Sequence, residues 1–177
     1  MVVEIDVLNS NGEFVGEVKT RKEIHEAGLW HRISYGFIFD GSNNVLLQKR
    51  ANYKISAGKW DKTIGGHVET GESCYRTLLR KAKEEIGIEL KPEEIEHFGC
   101  AISDFSEGTI NCHIFVEGYI IRKNINIDSL KINRDEIEEL KWFKKEEILE
   151  MIKNKDKSLI GKDFLWNFLT QTSSGGC

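Results

Sequence analysis

The chain has 177 residues, 40% of them hydrophobic and 31% charged, with 25 Lys and Arg against 29 Asp and Glu. That length suits one domain with one sizeable core, and a formal net charge of -4 leaves no broad basic field for a nucleic-acid polymer. No apolar run reaches the roughly 18–20 residues that span a bilayer, and Met1–Asp6 lacks the basic and apolar regions of a signal peptide, so a cytoplasmic protein with no membrane partner is expected.

Residues 2–19 alternate apolar and polar around Asn9-Ser10-Asn11-Gly12, which predicts a β-hairpin. Thr20-Arg21-Lys22-Glu23 is a capping-box pattern, so a short helix runs to about Gly28. Ile33–Asp40 and Val45–Arg50 flank Gly41-Ser42-Asn43-Asn44 as a second hairpin. Residues 51–61 form a loop ending in Gly58-Lys59-Trp60-Asp61, and a short strand leads from it into a glycine turn. A helix follows from about Ser73 to Ile86. Ile95–Ile102, Ile110–Ile121 and residues 138–143 are further strands, and Lys145–Lys153 and Asp163–Thr170 further helices. Trp142, Phe143, Phe164, Trp166 and Phe168 are expected in the core. One domain over 1–170 is the result, with 1–30 as its N-terminal hairpin and helix and 171–177 as a disordered tail. Cys74, Cys100, Cys112 and Cys177 show neither C-x-x-C pairing nor zinc-finger spacing, so free thiols are expected.

The chemistry concentrates at the Ser73–Ile86 helix. Gly65-Gly66 lets backbone approach a ligand closely and exposes carbonyls. Gly71-Glu72-Ser73 opens the helix, Gly87 ends it, and Glu84-Glu85 put two adjacent carboxylates near its end. Paired carboxylates beside a backbone carbonyl suit Mg²⁺ held against a diphosphate. Helical residues follow at about 100°, so a stripe of Tyr75, Leu79, Ala82 and Ile86, joined by Leu78, faces the core. On that reading Arg80, Lys81, Glu84 and Glu85 share an exposed side, and Cys74 projects to it as well.

Gly66, Glu72, Arg80, Lys81, Ala82, Lys83, Glu84, Glu85, Ile86, Gly87 and Ile88 resemble the long spaced pattern of the Nudix (MutT-type) hydrolase family. They depart from it at Lys81, where the family has glutamate, and at Ala82, where larger aliphatics are common. The resemblance implies an α+β fold, an α-β-α sandwich with a mixed sheet and a loop–helix–loop. It implies Mg²⁺ or Mn²⁺ and a small-molecule or nucleoside diphosphate derivative as substrate. By position, Glu84 and Glu85 are metal ligands together with the Gly65 carbonyl, and Glu72 and Arg80 form a salt bridge that braces the loop. Glu84, Glu85 and Arg80 are the expected catalytic set. Lysine at 81 leaves three readings open: a general base from elsewhere, with Glu107, Asp104, Glu136 and His113 as candidates; a slow enzyme that uses fewer metals; or a reaction other than hydrolysis.

Over roughly residues 3–153 the chain is similar to the isopentenyl-diphosphate-isomerase-like branch of that superfamily, through Leu46-Leu47-Gln48-Lys49-Arg50, Lys59-Trp60-Asp61 and Gly65-Gly66-His67 among other segments. Isomerases of the branch carry a basic residue where Lys81 stands. They use a histidine-rich metal site, to which His31 and His67 correspond, with His25 near a third position. Their chemistry also needs a cysteine where this chain has Gly65, and an acidic pair that Glu107–Cys112 lacks in register. Diphosphate hydrolysis is therefore expected, with isomerisation and nucleotide binding without turnover as the alternatives. Lys49 and Arg50, at a strand end, are candidates to contact substrate phosphate. Trp60 is expected as a packing anchor, and Glu136 as a support to the site.

Overall fold

The computed structural model describes residues 3–52, 54, 56–107, 110–161 and 163–170. The tail expected at 171–177 and the side chains of Glu107 and Phe164 lie outside them. Strands β1 (Glu4–Leu8) and β2 (Phe14–Thr20) pair antiparallel, and the Asn9 side-chain oxygen accepts from the backbone N–H of Asn11 and Glu13 to hold the turn. Thr20 caps α1 (Arg21–Ala27) through the reciprocal bonds of a capping box, and Gly28 closes that helix at φ 60°. The chain continues through β3 (Trp30–Phe39), β4 (Asn44–Arg50), β5 (Trp60–Asp61), β6 (Ile64–His67) and α2 (Cys74–Ile86). It ends through β7 (Ile95–Glu107), β8 (Ile110–Arg122), β9 (Ile137–Lys144), α3 (Lys145–Lys153) and α4 (Asp163–Thr170). Among the described residues, no helix is long and apolar enough to cross a membrane.

Strand β3 is the hub of the sheet. It pairs parallel with β8 along its whole length and antiparallel with β1, β4 and β6, so the sheet is mixed. Alternation along the strands sends side chains to two faces. Ile33, Tyr35, Phe37 and Phe39 join Ile148, Leu165 and Trp166 from α3 and α4 in one core. Ile38, Leu46 and Ile121 join Leu78, Ala82 and Ile86 of α2 in the other. Helices on both faces of a mixed sheet make the expected α-β-α arrangement. The largest departures from the predicted strands are at β3, which begins at Trp30, and at β7, which runs to Glu107. Local composition does not favour Ser103-Asp104 as strand, but pairing with Ile114 and His113 of β8 overrides that weak preference.

Helix α2 packs against β3 where β3 has no side chain. A Cβ built on Gly36 would lie 2.7 Å from Leu78 Cδ1 and 2.9 Å from Ile121 Cδ1. Gly36→Ala is therefore expected to destabilise the protein by about 1–3 kcal/mol through overpacking, read as a lower urea midpoint. An unchanged midpoint would mean that Leu78 moves aside at no cost.

The rotation of α2 corrects one expectation. Its buried residues are Cys74, Thr77, Leu78, Ala82, Glu85 and Ile86, so the buried stripe is turned toward Cys74 and Glu85 and away from Leu79. Glu85 is inside, and only Glu84 of the pair is exposed. Cys74 is buried as well, and burial pushes its thiol up to about 12, which makes it inert. Cys74 and Cys112 carry buried thiols. Cys100 departs from the expectation of free thiols, being disulfide-bonded.

A candidate active site between β6 and α2

Strand β6 lies antiparallel to β3, with Gly65 opposite Tyr35, Gly66 opposite Ser34 and His67 opposite Ile33. The loop that follows returns the chain to α2, whose first turn is capped by the Ser73 side chain. Glu72 ties loop to helix. Its two oxygens accept from Arg80 Nε and Nη2, each at 2.8 Å, and Oε2 also accepts from the Thr77 hydroxyl. The bond from Arg80 lowers the Glu72 carboxyl below its ordinary range. Arg80 also meets Glu69 at 3.0 Å and Glu84 at 3.3 Å, so its guanidinium is fully occupied by the loop and the helix.

The two carboxylates of the pair have different surroundings. Glu84 faces Lys81 Nζ at 2.8 Å and Arg80. Burial raises its pKa, but those two cations outweigh it and leave the group lowered. Glu85 is 4% exposed, and one of its oxygens lies 3.4 Å from the Gly65 N–H. Burial pushes its carboxyl up to about 7, against the opposing pull of Lys62 and Lys81. Lys62 runs beneath Gly65, where a Cβ would lie 2.5 Å from its Cε and 2.5 Å from Tyr35 Cδ1. Lys81 covers Gly66 in the same way at 2.6 Å. The two glycines leave the space that these lysine stems occupy on their way to Asp61 and Glu84, close enough to Glu85 for their charge to act on it.

A cavity of about 230 Å³ opens here, and Glu85, Gly65, Gly66, His67, Arg50 and Glu136 are on its wall. Glu84, Arg80, Glu72 and Lys49 are not. Lys49 instead pairs with Glu138 of β9, the strand beside β4, at 2.7 Å. Arg50 reaches the cavity, with its Nη1 2.8 Å from the buried Asp61. Glu136 bonds Lys54 at 2.7 Å on the rim. Asp104 and His113 face each other at 3.3 Å and do not line the cavity. Trp60 packs edge-on against Phe143, as an anchor does.

Beside His67 the structure assembles three imidazoles. One ring nitrogen each of His25, His31 and His67 lies within 4.8 Å of the others. His25 comes from α1, His31 from β3 and His67 from β6. His25 Nε2 and His67 Nε2 are 3.0 Å apart, and the His31 and His67 rings stack at 5.1 Å. His31 is fully buried, and burial lowers its pKa to about 4, so its ring is neutral at pH 7. Its Nδ1 bonds the Leu29 carbonyl, while its buried Nε2 has no hydrogen-bond partner among the described residues.

The Glu85 carboxylate is a hard oxygen donor of the kind Mg²⁺ prefers, although it is the Gly65 N–H that approaches it here, whereas the three imidazoles form a set of the kind that suits transition metals. Glu84 is the poorer carboxylate donor, because two cationic side chains already hold it. Residue-type reasoning passed over Lys62, Lys54, Arg21 and Tyr35, which also line the cavity. The signal for Lys62 was its place beside Asp61. Arg21 follows the Thr20 cap, so its place at the first position of α1 was readable, but its place on the cavity wall was not.

Residues 13–162 match the NUDIX domain family. The chain is 30% identical over 167 residues to an uncharacterized Nudix hydrolase of Clostridium acetobutylicum, covering 92% of this chain and 80% of that one. It is also 30% identical over 138 residues to isopentenyl-diphosphate Delta-isomerase 2 of Photorhabdus laumondii, covering 76% and 73% of the two chains. In three dimensions it is similar to a MutT protein from Methanosarcina mazei, with a TM-score of 0.62 at 24% identity over 80% of this chain and 91% of the other. That last likeness bears on the fold.

Proposed function

The chain belongs to the Nudix hydrolase family, enzymes that act on diphosphates and related acid anhydrides, and on that premise we propose that it cleaves the diphosphate linkage of a small molecule with Mg²⁺ or Mn²⁺. The observation that carries this reading is Glu85, a buried carboxylate on a cavity wall that also presents Arg21, Arg50, Lys54, Lys62 and Lys81. A diphosphate resists attack by water because its oxygens are anionic. Cationic side chains preset around it lower that barrier and hold the linkage in one orientation. When bound, a divalent cation neutralises charge on the phosphates and orients the attacking water. Family members generally use such ions, and here Glu85 and the Gly65 carbonyl would hold one. His25, His31 and His67 would hold a second, of the kind that prefers nitrogen.

With Lys81 in place of a carboxylate, Glu136 is the base this reading favours. It shares the cavity wall with Glu85 and is held by Lys54. The apolar wall, from Ile5, Ile33, Ile114 and Ile160, excludes water and favours a compact group on the diphosphate. Among the described residues, Tyr35 is the one aromatic ring on the wall apart from the histidines, and it is itself buried, so a stacked nucleobase has little support. Isomerisation loses support at Gly65. A cysteine there would put its Cβ against Lys62, Tyr35 and the Ser34 carbonyl oxygen at 2.5–2.8 Å.

The test is a panel of alkyl, sugar and nucleoside diphosphates with Mg²⁺ or Mn²⁺, read as released phosphate or monophosphate. Turnover is expected to vanish with a chelator and return on adding metal. Binding without turnover across the panel would refute hydrolysis, and conversion of isopentenyl diphosphate to its isomer would replace it.

A further inference from the structure

We propose that Cys112 is a positioning residue for the histidine cluster: its sulfur accepts the Nδ1–H of His25 and so fixes the His25 Nε2 lone pair toward His31 and His67, ready for a divalent cation. The inference rests on the reading above that the three imidazoles hold a cation.

The tautomers follow from the bonds. A carbonyl only accepts, so the bond between His31 Nδ1 and the Leu29 oxygen at 2.9 Å puts the His31 proton on Nδ1 and the lone pair on Nε2. That Nε2 is the buried nitrogen without a hydrogen-bond partner among the described residues. His25 repeats the pattern. Its Nε2 faces His67 Nε2 at 3.0 Å, and its Nδ1 faces Cys112 Sγ at 3.3 Å. Two bare lone pairs do not sit 3.0 Å apart without something positive between them, a proton or a cation. With a cation there, His25 Nε2 must carry its lone pair, its proton must be on Nδ1, and the Cys112 sulfur at 3.3 Å is placed to accept it. Leu29 thus does for His31 what Cys112 does for His25.

The fold aims the sulfur at the outer nitrogen. Cys112 is held in β8 by its pairing with β7, next to the point where β8 begins to pair with β3. Its neighbour His113 is in register with Trp30 of β3, and Cys112 itself is opposite Phe105 of β7. It is 6% exposed, and its sulfur approaches Nδ1, the side of the ring turned away from His67. Cys112 therefore acts through His25 and stays out of the ligand set.

Co²⁺ is the probe, titrated into the metal-stripped full chain and followed by calorimetry and visible absorption. The relevant signal is the part that His31→Ala removes. Wild type should give a cobalt spectrum without a thiolate-to-metal charge-transfer band. Cys112→Val keeps the bulk but removes the acceptor, and it should weaken this binding about 10–100-fold. Cys112→Ser, whose hydroxyl accepts, should recover most of the loss. The metal-free variants should keep the wild-type circular dichroism, which separates positioning from unfolding. Equal affinity in Cys112→Val overturns the proposal, as does a charge-transfer band in wild type, which would make Cys112 a ligand. Cobalt binding that is indifferent to His31→Ala and His67→Ala removes the histidine site itself, and with it this proposal, while leaving hydrolysis at Glu85 to its own test.

Discussion

Glu85→Gln is expected to reduce metal-dependent turnover by roughly 100-fold or more, the scale seen when a preset group that stabilises transition-state charge is removed. Glutamine has the same shape, and its carbonyl can still accept from the Gly65 N–H that now approaches Glu85. The fold should therefore survive, and the loss should fall on kcat. Glu84→Gln should cost less. Glu84 is 44% exposed, engaged by Arg80 and Lys81, and absent from the cavity wall. Steady-state rates with saturating Mn²⁺ compare the two variants. A Glu85→Gln enzyme with an intact rate would move the active site elsewhere.

The same residue gives the metal-free protein a pH signature. Burial raises the Glu85 pKa from 4.5 to about 7. A raised carboxyl means that the folded state holds its proton more tightly than the unfolded chain. Between those two values the folded state binds more protons, so stability falls as pH rises from about 4.5 to about 7. Glu85→Gln should flatten that part of the stability curve. Added divalent cation should do so too, by stabilising the ionised form.

Asp61→Asn is expected to destabilise the protein by about 3–5 kcal/mol, the cost of removing one partner from a buried ionic cluster. Asp61 is 1% exposed and holds Arg50 Nη1 and Lys62 Nζ at 2.8 Å each, with the Lys62 backbone N–H on its other oxygen. Without the carboxylate, two cations remain close together in a site with little water, and Lys62 also lies over the Tyr35 ring. Chemical denaturation measures the loss. Because Arg50 and Lys62 both line the cavity, affinity for inorganic pyrophosphate should change as well. A variant as stable as wild type would mean that water reaches this cluster freely.

Most elements were legible in the sequence because their signals are local. The capping box at Thr20-Glu23, the Asn9–Gly12 turn and the Ser73 and Gly87 limits of α2 each depend on residues within a few positions of one another, and the structure has them. The candidate site was legible in part. Gly65, Glu85, Arg50, His67 and Glu136 meet at one cavity, and Glu72 and Arg80 form their ion pair. Lys49 pairs with Glu138 of β9 and is not on the cavity wall, a placement the sequence could not give because a strand-end lysine looks the same whether it faces a ligand or a neighbouring strand. The exposed side assigned to Glu85 failed for a related reason. A polar residue is placed outward by default, and only the packing of α2 on β6 and β3 shows that this one is inside.

The sequence by itself determined the family, the run of elements and the presence of a carboxylate pair on a capped helix, because each is written in spacing along one stretch of chain. Tertiary structure alone decided which carboxylate faces the cavity, that Lys62 and Lys81 pass over Gly65 and Gly66 beside it, and that Cys112 stands behind His25 where it meets His31 and His67. Those residues come from α1, α2, β3, β6, β8 and the turn between β5 and β6. Their distances depend on strand register and helix rotation, which are set by burial across the whole sheet.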